Sequence, residues 1–218
     1  MDVTPGFLAK EESKAIPFMG LICTTIGIVF MKRDCSKERR ANLIAMIGER
    51  QLLAEEGKFP PIHIYPEGST TNGTAILKFK KGAFASLRAV KPYVTTYRSV
   101  RANPCFGTPI SEFFYALLAM NCIAIHGLMR ELPVFEPNEY FWTNHWQEGK
   151  EEKWEAFARV VREIIAANSS DPNSPPDPIT GFGSEPQKLC EITMEDKLIY
   201  KQELVDALKS QKKDKKDL

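Results

Sequence analysis

The most constraining feature of this sequence is the run from Pro61 to Gly73. Pro61-Ile62-His63-Ile64-Tyr65-Pro66 is an apolar stretch with proline at both ends. Proline cannot donate to a strand ladder, so it sits at strand ends and edges, and the spacing predicts a short strand. Directly behind it come Glu67-Gly68, then Ser69, Thr70, Thr71 and Asn72, then Gly73. Glycine supplies the φ > 0 geometry of a tight turn. Hydroxyls and turn amides suit an anionic oxygen, and Lys78, Lys80 and Lys81 a few residues on add positive charge suited to a phosphate. The same residues are also the ordinary furniture of a turn, so composition alone leaves both readings open.

The flanking segments alternate strand and helix patterns. Ile16–Gly27 reads as a short helix, and Gly27–Met31 as a buried strand of β-branched and aromatic residues. Arg39–Glu56 carries Leu43, Ile44, Ile47 and Leu52 at helical spacing and stops at Gly57. Gly82–Ala89 reads as a short helix, Tyr93–Tyr97 as a strand, Glu112–Met120 as a helix and Ile123–Phe135 as a strand. Trp154–Ala167 places Trp154, Phe157, Val161 and Ile164/Ile165 on one stripe. Alternation of this kind implies an α/β layer architecture, a mixed sheet flanked by helices. Asn168–Pro178 is rich in Ser, Pro, Asn and Asp and reads as a linker or loop; Met194–Lys209 is a final helix, and Lys209–Leu218 a solvated lysine-rich tail. The expected organisation is an α/β domain at 1–167, a linker at 168–190 and a helix with tail at 191–218.

Bulk properties narrow the function classes. With 218 residues, 43% hydrophobic and 26% charged, the chain is an ordinary globular size and composition. A net charge of +1 and no recognisable motif argue against nucleic acid as a partner. Cys23, Cys35, Cys105, Cys122 and Cys190 are scattered without CxxC spacing, so neither a metal site nor a disulfide framework is expected, and a reducing intracellular compartment is. The first residues show neither a secretory signal nor an Arg-rich presequence, and the terminal Lys-Lys-Asp-Leu is not a retrieval signal. Phe113–Met129 is the most apolar stretch, but Asn121 and His126 interrupt it, and helix-plus-strand is expected there rather than a membrane span.

Pro66-Glu67-Gly68-Ser69 resembles the Pro-Glu-Gly-Thr block of the glycerophospholipid acyltransferase superfamily. Thr71-Asn72 followed by Phe79-Lys80-Lys81-Gly82-Ala83-Phe84 is similar to its lysophosphatidylcholine acyltransferase branch. Other ordered blocks agree. Pro5–Glu12 resembles the segment before the second block, Gly27–Arg33 the second block itself, and Lys91-Pro92-Tyr93-Val94 the fourth. Leu132-Pro133-Val134-Phe135-x-Pro137 and Ile192–Asp196 continue the likeness.

The resemblance implies a glycerol-phosphate acyltransferase-like fold, a phospholipid or lysophospholipid as ligand, and a membrane surface of mitochondrion or endoplasmic reticulum. It implies that Arg33 holds the acceptor's phosphate through its planar donor fork, with Glu67, Gly68, Ser69 and Thr70 completing that site. Glu67 has a second reading, as an acceptor for backbone N–H groups of the following turn. Many members of the superfamily have arginine at the position of Thr70; the branch resembled here does not.

The family's reaction moves an acyl group from acyl-CoA to a glycerol hydroxyl, with a histidine as general base and an aspartate five positions later orienting it. These 218 residues contain no His-x-x-x-x-Asp. His126 is followed at that spacing by Glu131 but lies far downstream, His63 precedes the Glu-Gly block on a strand and reads as core, and His145 reads as a loop or surface residue. No catalytic residue is therefore assigned and no tightly bound cofactor is expected; acyl-CoA would be the co-substrate of an active form. If Met1 is the natural start, the expectation is an inactive relative that binds lipid or serves as a structural subunit, with protein partners, in a membrane-associated assembly. If the block lies upstream in a longer protein, the expectation is an active enzyme.

Overall fold

A computed structural model describes residues 6–11, 14, 19–25, 28–31, 36–68, 71, 75–99, 117, 120–121, 125–170, 187–193 and 196. In chain order the elements are β1 (Gly6–Lys10), α1 (Met19–Thr25), β2 (Val29–Met31), α2 (Lys37–Glu55), β3 (Ile62–His63), β4 (Ala75–Ile76), a 3₁₀ turn (Lys81–Ala83), β5 (Tyr93–Ser99), β6 (Ile125–Glu131), α3 (Glu139–His145), α4 (Lys153–Ala167) and β7 (Lys188–Leu189). They divide between two units: Met1–Pro66, Lys80–Ala89 and Glu136–Ala158 in one, Glu67–Phe79, Val90–Phe135 and Arg159–Leu218 in the other.

The first unit is built on a parallel three-stranded sheet ordered β2-β1-β3, with Leu8 opposite Val29 and Phe7 opposite His63. Parallel neighbours need crossover connections, and α1 and α2 supply them. Helix α2 starts where the Ser36 hydroxyl accepts from the Arg39 amide at 3.3 Å, satisfying one orphan donor, and stops ahead of Gly57 at φ +70°. Its inward residue is Ile47, 2% exposed; Leu52, read with it as part of one stripe, is exposed. The Gln51 amide donates to the Ala83 carbonyl at 3.4 Å, and Gln51 Oε1 accepts from the Ser86 hydroxyl at 2.5 Å.

The helix expected over Gly82–Ala89 is not formed. Only Lys81–Ala83 makes a 3₁₀ turn, because Leu87 takes φ +55°, a left-handed conformation that ends any right-handed helix. The irregular path leaves Phe84 buried with its ring 5.3 Å edge-on to Phe157. Phe141 of α3 adds a third ring, 6.1 Å from Phe157. Helix α3 begins at Asn138, whose side chain accepts from the Phe141 amide at 2.9 Å. Of the two readings of His145, loop or surface, the surface one holds: it is exposed, but as the last residue of α3, stacked on Phe141 at 5.5 Å.

In the second unit β5 and β6 pair antiparallel from Tyr93–Glu131 to Ser99–Ile125. The strand expected at Ile123–Phe135 is thus shorter, and Phe135 instead makes an isolated bridge with Val90. β4 and β7 form a parallel pair, Ala75 opposite Lys188 and Ile76 opposite Leu189. Helix α4 matches the expected stripe: Phe157 and Val161 are buried, while Trp154, Ile164 and Ile165 are half-buried. Its C-terminal end is held by Arg130, which donates to the carbonyls of Asn168 at 3.1 Å and Ser170 at 3.3 Å. Thr193 and Asp196 bond to each other reciprocally. The Thr193 amide and hydroxyl donate to Asp196 Oδ2 at 2.9 and 2.6 Å, and the Asp196 amide donates back at 3.3 Å.

The α/β class stands, with both parallel and antiparallel pairs. Among the described residues the strands form three separate sheets rather than one. The helices expected at Glu112–Met120 and Met194–Lys209, and most of the Asn168–Pro178 segment, lie largely outside the described residues.

Candidate acceptor site at the Glu67–Gly68 turn

Strand β3 ends at His63, earlier than the proline-bounded run predicts, and the chain reaches a turn at Pro66–Gly68. The Pro66 carbonyl accepts from the Lys80 amide at 2.9 Å, so the turn's base is tied before the charged residue begins. Gly68 takes φ +67°, the left-handed geometry that the sequence led one to expect of it. Glu67 is half-buried, and its Oε2 accepts from the Leu77 amide at 2.9 Å. The backbone-acceptor reading of Glu67 is therefore realised, with a donor ten residues on, just beyond β4, rather than in the turn itself. The Thr71 hydroxyl lies 3.5 Å from the Ala75 carbonyl, the outer limit of a hydrogen bond.

The other residues assigned to the phosphate, Arg33, Ser69 and Thr70, lie outside the described residues. Of the three lysines read as phosphate partners, Lys81 is committed elsewhere. Its Nζ is 2.9 Å from Glu152 Oε2 and 5.5 Å from the Trp154 ring centroid. Hydrogen bonds from Lys81 and from the Trp154 indole hold the Glu152 carboxyl below the usual carboxylate range. Lys78 is exposed, its amide donating to the Ile192 carbonyl at 3.3 Å.

His63 sits between two rings, 5.3 Å from Phe7 and 4.8 Å from Tyr65. Burial pushes its imidazole below the ordinary value of 6.5. The unfolded chain therefore takes up a proton at His63 before the folded chain does. This contribution to stability is present above about pH 6.5 and declines as the pH falls toward the folded value. Urea midpoints measured from pH 7.5 down to 5.5 are expected to fall, and His63→Phe to flatten that slope. An unchanged slope in the variant would remove His63 as the cause.

Sequence reasoning missed Arg162. It lies on α4 beside Val161 and is 5% exposed, with its guanidinium donating to the Ile76 carbonyl at 3.3 Å, to the Cys190 carbonyl, and to Glu191 at 3.3 Å. The available signal was an arginine on the apolar side of a helix, where a charge is retained only if it is paired. Among the described residues no three His, Cys, Asp or Glu side chains gather as a metal site, and no helix is long and apolar enough to cross a membrane.

Residues 2–100, which contain the Glu67–Gly68 turn, match the family model Acyltransferase. Over those residues the chain is similar to the acyltransferase family. Beyond them, similarity to individual proteins extends further along the chain. A lysophospholipid acyltransferase of Arabidopsis thaliana, LPEAT1, is 30% identical over 167 residues, 76% of this chain and 39% of that protein. A second from the same plant, LPEAT2, is 29% identical over 140 residues, 63% of this chain and 25% of that protein. Human lysophosphatidylcholine acyltransferase 1 is 38% identical over 92 residues, 42% of this chain and 17% of that protein. The branch indicated by the sequence blocks is thus represented among the relatives. The chain spans well under half the length of each of these proteins. No solved structure matches it.

Proposed function

We propose that this chain carries the acceptor side of a lysophospholipid acyltransferase site, on a glycerol-phosphate acyltransferase-like fold, and binds the phosphate of a lysophospholipid at a membrane surface. The observation that supports this most is the Glu67–Gly68 turn. A left-handed glycine follows a carboxylate anchored to the Leu77 amide, within a segment of acyltransferase-family sequence. Turn amides beside a glycine favour an anionic oxygen, and Arg33, Ser69 and Thr70 are the residues that would complete the phosphate's contacts.

These 218 residues include no His-x-x-x-x-Asp. The acyltransferase reaction needs a base on the acceptor hydroxyl, and a positioned general base is worth on the order of 10²–10⁴-fold. By itself the chain therefore binds lipid without transferring acyl groups, in a binding or structural role within a membrane-associated assembly. A second reading is supported by length: the chain covers 39% of LPEAT1. In that reading the base and its aspartate are supplied by sequence outside these residues, and the whole protein is an acyl-CoA:lysophospholipid acyltransferase.

One experiment separates the readings. The 218-residue chain and the full native translation product are each given acyl-CoA and lysophosphatidylcholine, and product is followed by mass spectrometry. The 218-residue chain is expected to bind the lysolipid and form no product; turnover by that chain would overturn the non-catalytic reading. Turnover by the longer product alone would establish the second reading, and absence of lysolipid binding by either would remove the acceptor site.

A further inference from the structure

A charged side chain that is 6% exposed is retained only where it is paired, and Arg162 turns both terminal nitrogens onto acceptors on β4 and just beyond β7. Its Nη2 donates to the Ile76 carbonyl on β4 and to the Cys190 carbonyl following β7, and its Nη1 to Glu191. The Ile76 carbonyl also accepts from the Cys190 amide at 3.0 Å. The group on the other side of that same peptide plane is the Leu77 N–H, and it is this N–H that donates to Glu67 Oε2. The peptide unit is planar and trans, so fixing the direction of its C=O fixes the opposite direction of its N–H. A cation on the carbonyl oxygen also polarises the unit and strengthens the donor.

We propose that Arg162 is a positioning residue for the Glu67 carboxylate, acting through the Ile76–Leu77 peptide plane. It turns the Leu77 N–H onto Oε2 and so sets where the acidic residue of the Glu67–Gly68 turn stands. The consequence for lipid binding rests on the reading of that turn as the acceptor site. The alternative is an arginine that merely staples β4 to β7.

Amide NMR of the isotopically labelled chain distinguishes the two. In the unmodified protein the Leu77 amide shift should follow the ionisation of Glu67, and Glu67→Gln should abolish that dependence. Arg162→Met should remove the dependence and speed Leu77 amide exchange by about tenfold, the loss of one hydrogen bond. Val161→Ala, a cavity on the same helix next to Arg162, should leave the pH-dependent shift intact. A Leu77 amide unchanged in Arg162→Met, or equally disturbed by Val161→Ala, would overturn the proposal. If Arg162→Met does not fold, Arg162→Lys carries the test: an exchange rate between wild type and Glu67→Gln is expected, and a wild-type rate would overturn it.

A second arm titrates sn-glycero-3-phosphocholine and follows the Gly68 amide. Arg162→Met should weaken binding by about tenfold, as expected when one hydrogen bond of the site is misplaced, with Val161→Ala unaffected. Equal binding by wild type and Arg162→Met would end the claim that Arg162 bears on the ligand. A silent Gly68 in the unmodified chain would overturn the acceptor-site reading itself, and the Leu77 measurements would still decide Arg162.

Discussion

Replacing Phe157 with alanine is expected to lower the free energy of unfolding by about 3–5 kcal/mol. Phe157 is 0% exposed at the start of α4, between the buried residues Ala156 and Ala158. Its ring meets Phe84 edge-on at 5.3 Å and Phe141 at 6.1 Å. Truncation removes the apolar area of the ring and leaves a cavity between two aromatic residues, neither able to fill it without leaving its own contacts. Domains of ordinary stability hold about 5–15 kcal/mol, so this single change would remove about a fifth of the total or more. Urea denaturation is the measurement, with the midpoint lowered and the slope preserved. Tyr140→Ala in neighbouring α3 is the control. Tyr140 is 73% exposed, and its loss should shift stability by no more than about 0.5 kcal/mol. Comparable losses for the two variants would show that the three-ring cluster is not the centre of the core.

The second large effect is expected at Glu67. Alanine there strips the acceptor from the Leu77 amide, and Leu77 is 7% exposed, so water reaches the orphaned N–H poorly. Hydrogen bonds to charged acceptors are worth about 1.5–3 kcal/mol, and that is the expected cost of Glu67→Ala. Glu67→Gln keeps a carbonyl oxygen within reach of Leu77 and loses only the charge, so its cost should be about half as large or less. The ordering discriminates between roles. A carboxylate used only to hold the loop shows alanine worse than glutamine in stability, with lysolipid binding tracking stability. A carboxylate that also faces the acceptor shows glutamine nearly as stable as wild type yet impaired in lysolipid binding. Gly68→Ala, placed at φ +67°, should add about 1–2 kcal/mol of backbone strain in the same loop.

Helix α4 was legible because it carries its own information. An apolar stripe one turn apart is enough to predict both the helix and its buried face, and Phe157 and Val161 are where the stripe put them. Helix α2 was legible from its helical spacing and from Gly57 behind it, although of its stripe Ile47 is buried and Leu52 is exposed. Strand β1 was not. Gly6–Lys10 has no period-two pattern, and it is a strand because it lies between β2 and β3, partners about twenty and fifty residues away. Segment 82–89 failed as a helix for a local reason invisible in propensity: Leu87 accepts a left-handed backbone while Phe84 and Ser86 find partners on other elements. At the candidate site the turn chemistry of Glu67-Gly68 could be read directly. The donor that holds Glu67 could not, because Leu77 reaches it through backbone rather than through a recognisable side chain. Arg162 was hidden for a related reason, since the groups that make its burial tolerable are carbonyls on β4 and just beyond β7, distant in sequence.

The pairing of β4 with β7 has a consequence in time. Ala75 and Ile76 find their partners at Lys188 and Leu189, more than a hundred residues later, and each strand is only two residues long. So few ladder bonds cannot nucleate the closure of so long a loop; they form once the rest of the unit has brought the ends together. During synthesis the Ile76 carbonyl has neither the Arg162 guanidinium nor the Cys190 amide until those residues have left the ribosome. The Leu77 amide, and with it Glu67, therefore takes its final setting among the last events of folding. A ribosome stalled short of residue 190 would leave a chain whose aromatic core is complete and whose Glu67–Gly68 turn is still unset.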